Sequence, residues 1–211
     1  MMQYPIQVQK KMSLGMKLHR PPKRRIKHGG VMYTEDYIES LRKALTAVSG
    51  NWHCEVISQV ELVTVSENAT FKAVYQDGKT LILRVNRANY HTLQELKSEI
   101  EWVSALYKDN AVSTPVIMSN YQGEKIYPIT VHSEGEEKQL WVTAFEFCKG
   151  SEPSISDDLS PWFEKLGELT ARLHLHTRTW VEPQGFVRKK WDQQTMVGPE
   201  GYWGDWRKAD G

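Results

Sequence analysis

Thr70-Phe71-Lys72-Ala73-Val74-Tyr75-Gln76-Asp77-Gly78-Lys79-Thr80-Leu81-Ile82-Leu83-Arg84-Val85 is the stretch that decides the fold. Two runs of β-branched, aromatic and aliphatic residues flank Gln76-Asp77-Gly78-Lys79, and Asp-Gly between such runs is a strong hairpin signal. Residues 55–65 have the same character, so three antiparallel strands are predicted over 55–65, 70–75 and 80–85. Working outward, 34–48 reads as a helix. Thr34 can cap it, Asp36 suits the positive end of its dipole, and Tyr37, Ile38, Leu41, Leu45 and Val48 recur at helical spacing before Gly50. Downstream, Leu93, Leu96, Ile100, Val103 and Leu106 line one face of a helix over about 91–108, closed by Asn110 and the pre-proline Thr114. Strands are expected at 125–132 and 139–147, separated by a charged turn over 133–138. After a loop at 150–158, Trp162, Leu166, Leu169 and Leu173 mark a second amphipathic helix to about 177. Residues 180–211 are rich in Trp, Gly and Pro and show no clear period.

Composition narrows the class. The chain has 211 residues, 40% hydrophobic and 25% charged, values of an ordinary globular protein. No apolar run reaches the roughly 18 residues of a membrane-spanning helix and no secretory signal opens the chain, so a cytoplasmic location and no membrane partner are expected. Cys54 and Cys148 lie far apart without Cys-x-x-Cys spacing, which points to reduced, buried thiols rather than a disulfide or a zinc site. Residues 1–30 hold eight Lys and Arg and no acid, so the net charge of +1 hides an acidic remainder. This basic arm lacks aromatic interleaving and is broken by Pro21, Pro22, Gly29 and Gly30, so nucleic-acid binding is disfavoured. Residues 1–32 are expected to be a disordered leader, or else to precede the true start, since Met32 opens a sequence that looks like a natural beginning.

The order of elements is α+β, a five-stranded antiparallel sheet with one crossing helix and a linker into a helical lobe. That is the layout of a protein-kinase-like nucleotide lobe, although unrelated α+β folds share it, so the residues must decide. A kinase covers the triphosphate with the turn between its first two strands, holds the phosphates with a cation on the third, and fixes that cation with a carboxylate on the crossing helix. Ser66, Glu67 and Asn68 form the turn, where backbone N–H groups and small polar side chains can approach phosphate oxygens. Arg84 is the one charge in Leu81-Ile82-Leu83-Arg84-Val85 and needs a partner in an apolar setting. Glu99 is the acid beside the Leu96, Ile100 and Val103 face, better placed than Glu95 or Glu101. Adenine would lie against Val74 and Ile82, with Val142 or Phe145 near the linker, and would be read by the backbone of Glu146, Phe147 and Cys148.

Leu166-Gly167-Glu168-Leu169-Thr170-Ala171-Arg172-Leu173-His174 is the most specific match to a known pattern. It resembles the first long helix of the second lobe in the aminoglycoside phosphotransferase and choline kinase-like family. The Ser-Glu-Asn turn, the strand arginine and Trp203-Gly204-Asp205-Trp206 are similar to that family too. The resemblance covers about 33–206 and implies an N-lobe over 33–148, the start of a helical C-lobe over 149–211, ATP as cofactor, and transfer of its γ-phosphate to a small-molecule hydroxyl. The family's catalytic loop is His-Gly-Asp-x-x-x-x-Asn, followed by a metal-binding Asp. No His-x-Asp occurs among the 211 residues. No catalytic or metal-ligating residue is therefore expected in this chain, and Mg2+ only in a full-length relative. His174 and His176 point about 200° apart on a helix and cannot share an ion. A truncated kinase, inactive alone and prone to self-association through its incomplete C-lobe, is the expectation. A non-catalytic nucleotide- or partner-binding module is the alternative.

Overall fold

The computed structural model describes residues 33–208 apart from 134, 152 and 155, so the basic arm and the leader expected over 1–32 lie outside the described residues. Helix α1 (Glu35–Val48) begins where expected, the Thr34 hydroxyl accepting from the Tyr37 N–H at 3.2 Å, with Glu35 and Asp36 in the first turn. Tyr37, Leu41 and Leu45 recur at four-residue intervals and are buried.

Strands β1 (Ile57–Val65), β2 (Ala69–Tyr75) and β3 (Thr80–Val85) form the antiparallel meander. Gly78 turns the β2–β3 hairpin at φ +87°, a conformation that costs an L side chain but not glycine. Helix α2 (Leu93–Lys108) crosses next and is opened by a capping box: Thr92 Oγ1 accepts from the Glu95 N–H and Glu95 Oε2 from the Thr92 N–H. Glu95 is thereby held as a cap, its carboxyl below the usual glutamate range: desolvation, the largest single influence, pushes it up, but the hydrogen bonds from Thr92 and the Lys189 and His91 charges together prevail.

The sheet has six strands rather than five. The added strand is β4 (Ile117–Met118), two residues long and too short to show any alternation in sequence. Strands β5 (Tyr127–Ser133) and β6 (Glu136–Glu146) pair through the region expected to be a charged turn, His132 opposite Glu137 and Ser133 opposite Glu136. The reversal there is correspondingly tight, with Gly135 at φ +77°. Val142 is opposite both Val85 and Tyr127, so β6 carries β3 on one edge and β5 on the other, with β4 beside Ala144 and Phe145.

The two faces of the sheet differ by strict alternation. Phe71, Ala73, Tyr75, Leu81, Leu83, Val85, Leu140, Val142 and Ala144 form the buried face. Helix α1 covers it, and the Tyr75 hydroxyl donates to the Ser49 carbonyl at 3.0 Å. Burial pushes that phenol up to about 12. Thr70, Lys72, Val74, Ile82, Arg84, Thr143 and Phe145 occupy the opposite face, as their register requires. Beyond the sheet come α3 (Ser160–Thr179), with Pro161 in its first turn, and α4 (Gln193–Val197), capped by Asp192. No helix is long and apolar enough to cross a membrane among the described residues.

Candidate nucleotide site

Arg84 sits near the end of β3 on the sheet face away from the α1 core, directly opposite Thr70 on β2 and Thr143 on β6. Its Nη2 donates to Glu99 Oε1 of α2 at 2.7 Å, and both side chains are about four-fifths buried, 23% and 20% exposed. Its guanidinium also lies over the Phe145 ring, 5.1 Å from the centroid. The Nε–H of Arg84 is buried and has no acceptor among the described residues. An orphaned guanidinium donor is costly unless something accepts from it, so the site has unspent capacity for an anion.

The Ser66-Glu67-Asn68 turn joins β1 to β2 at this same end, because Val65 pairs with Ala69 and Ala69 with Val85. Ser66 and Glu67 are exposed and Asn68 is half-buried. The Ser66 N–H donates to the Asn68 carbonyl at 3.0 Å, and Asn68 Oδ1 accepts from the Arg87 N–H at 3.2 Å. Asn68 thus anchors the turn to the end of β3, three residues beyond Arg84, while Ser66 and Glu67 remain at its open tip.

Val74 and Ile82 are half-buried on the Arg84 face, and Phe145, opposite Ile82, completes an apolar strip there. Val142, the other residue the sequence offered near the linker, is on the core face instead, paired with Val85 and fully buried. Past β6, Glu146 is exposed, its N–H spent on the Val116 carbonyl at 2.9 Å. The Phe147 and Cys148 N–H groups have no backbone acceptor among the described residues. Cys148 and Cys54 are both exposed, not buried as the sequence suggested, because each lies just outside a strand where no layer covers it.

Three residues around Arg84 and Glu99 escaped sequence reading. Lys72 shares the Arg84 face and lies over the Phe147 ring at 5.2 Å; alternation from Arg84 across the hairpin could have found it. Arg188, from the stretch without period, brings Nη1 to 3.7 Å from Glu99 Oε2. Ser98, fully buried on α2, accepts from the Val187 N–H at 2.9 Å. His176 bonds Asp109 at 3.0 Å, a structural contact joining α3 to the end of α2. A separate cavity of about 580 Å³ opens past the end of β3, lined by Asn86, Arg87, Tyr90, His91, Trp141 and Lys189. Burial lowers the pKa of His91 there, with Lys189 adding to the effect.

Comparison with known proteins identifies the family and the fold. The chain belongs to the phosphotransferase enzyme family, which matches residues 60–205. It is similar to the solved structure of a microcompartment-associated aminopropanol kinase, at 30% identity and TM-score 0.65, over 79% of this chain and 50% of that one. It also shares its fold with an amicoumacin kinase solved in complex with AMP-PNP, Ca2+ and amicoumacin, at 19% identity and TM-score 0.57, over 74% of this chain and 44% of that one. No protein of the curated set matches. The fold is accordingly α+β and kinase-like, and the chain spans about half the length of these solved kinases.

Proposed function

We propose that this chain carries the ATP-binding part of a small-molecule kinase, an N-lobe over 33–148 followed by the first elements of a C-lobe over 149–211. The observation that carries the reading is Arg84: a guanidinium on the third strand, paired with Glu99, with a buried Nε–H that no described residue accepts. Arg84 would hold the phosphates and Glu99 would fix its orientation. Ser66, Glu67 and Asn68 would cover the phosphates. Val74, Ile82 and Phe145 would line the adenine, and the backbone of Glu146, Phe147 and Cys148 would read its edge. The phosphates of ATP fit the donors present, because a planar fork can serve a carboxylate and a phosphate together.

The acceptor is a small-molecule hydroxyl, and a small amino alcohol is the class favoured by likeness to the aminopropanol kinase. No His-x-Asp occurs among these 211 residues, so the polypeptide is expected to bind ATP without transferring its γ-phosphate and to need no Mg2+ ligand of its own. That same observation favours a second reading, a nucleotide-binding module that acts through a partner. Trp162, Phe163, Leu166 and Leu175 of α3 are exposed, which supports self-association of the chain at micromolar concentration. A cytoplasmic location belongs to the same proposal, and no helix among the described residues is long and apolar enough to cross a membrane. An ADP-release assay with 1-amino-2-propanol, run beside equilibrium ATP binding, tests the proposal. Binding without turnover is expected; turnover by these residues alone would refute the inactive reading, and no binding at millimolar ATP would refute both.

A further inference from the structure

Glu99 is shared between two guanidiniums. Arg84 takes Oε1 at 2.7 Å, while Arg188 faces Oε2 at 3.7 Å with its side chain 36% exposed. Arg188 does not arrive alone. The segment around it is tied along α2 by Gln94 Nε2 donating to the Gly185 carbonyl at 2.7 Å and by the Val187 N–H donating to Ser98 Oγ at 2.9 Å. Lys189 then donates to the Tyr90 carbonyl just before the helix and lies 4.5 Å over the Tyr90 ring. Residues 185–189 therefore form a strap across α2, in register with Gln94, Ser98 and Glu99.

A glutamate held through one oxygen keeps a soft final torsion, since rotation of a carboxylate about its last bond is broad rather than three-welled. A cation facing the second oxygen confines that rotation. The plane of the carboxylate in turn sets the direction of the Arg84 fork, because the Nη2 donation is the one hydrogen bond the Arg84 side chain makes among the described residues. We infer that Arg188 is a positioning residue for the nucleotide site: it locks the Glu99 carboxylate from behind, so that the strap following α3 governs how Arg84 is presented to phosphate. The inference rests on the ATP-binding reading and adds a residue outside the sheet and α2 to it.

A double-mutant cycle on the full chain tests this, with the dissociation constant for ATP measured by calorimetric titration in wild type, Arg188→Ala, Glu99→Gln and the double variant. A partly buried ion pair leads us to expect an approximately five-fold loss of affinity in Arg188→Ala. Arg188→Lys should recover most of it, and in the Glu99→Gln background Arg188→Ala should change nothing further. Circular dichroism on each variant, with Arg188→Gln as a milder substitute should Arg188→Ala fold poorly, keeps loss of fold apart from loss of positioning. Unchanged affinity in folded Arg188→Ala or Arg188→Gln would overturn the inference. So would a loss that persists without the Glu99 charge, which would instead mark direct phosphate contact. Failure of the wild type to bind ATP would overturn the nucleotide reading itself, an outcome distinct from both.

Discussion

Removing Glu99 should destabilise the unliganded chain more than removing Arg84, although the two side chains form one ion pair. Breaking a buried pair costs about 3–5 kcal/mol because the survivor is left uncompensated. Here each partner is about one-fifth exposed, so solvent takes up part of that cost. Arg84→Met leaves Glu99 still facing Arg188 at 3.7 Å, so its charge keeps a partner. Glu99→Gln leaves two guanidiniums sharing a neutral amide, and only the Phe145 ring still favours the Arg84 charge. We expect about 1 kcal/mol for Arg84→Met and about 2–3 kcal/mol for Glu99→Gln. Urea unfolding at pH 7.5 would measure both, read as a shift in midpoint at constant slope. Equal costs, or a larger cost for Arg84→Met, would refute the view that Glu99 is shared.

Other perturbations have equally specific outcomes. Ser98→Ala deprives the Val187 N–H of its acceptor and should cost about 1 kcal/mol in urea unfolding, with protease sensitivity rising near Gly185. Leu83→Ala opens a cavity in the fully buried face and should cost about 2–5 kcal/mol, visible as a fall in thermal midpoint of several degrees. His91 is held below its ordinary value of 6.5 chiefly by burial, so its neutral form is favoured in the fold. Its contribution to stability is complete above the unfolded value and is lost as pH falls through the lower folded value. Thermal midpoints should therefore drop below about pH 6.5, and His91→Asn should flatten that part of the profile.

Much of the sheet and its flanking helices was legible because their signals are local. Asp77-Gly78 dictates a turn, and the alternation of Phe71, Ala73 and Tyr75 with Lys72 and Val74 dictates which side of β2 is core. The capping residue Thr34 and the i, i+4 series on α1 are equally local. What escaped depends on register or on distant chain. Choosing between Val142 and Phe145 requires knowing that Arg84 is opposite Thr143, which no single strand reveals. β4 is two residues recruited by the edge of β6, with no pattern of its own. Arg188 reaches Glu99 from 89 positions away, through a segment held by hydrogen bonds rather than by apolar periodicity. The anchoring of the turn was not legible either: Asn68 Oδ1 accepts from the Arg87 N–H, a contact with the chain just beyond β3, while Ser66 and Glu67 are exposed at the tip.

The most direct test of the nucleotide reading is calorimetric titration of the chain with metal-free ATP and with Mg-ATP, in parallel with Arg84→Ala. Arg84 offers phosphate a guanidinium that the described residues satisfy only in part, so measurable binding is predicted in both forms, weakened at least ten-fold by the substitution. Binding of equal strength in Arg84→Ala, or none by wild type up to millimolar ATP, would contradict it.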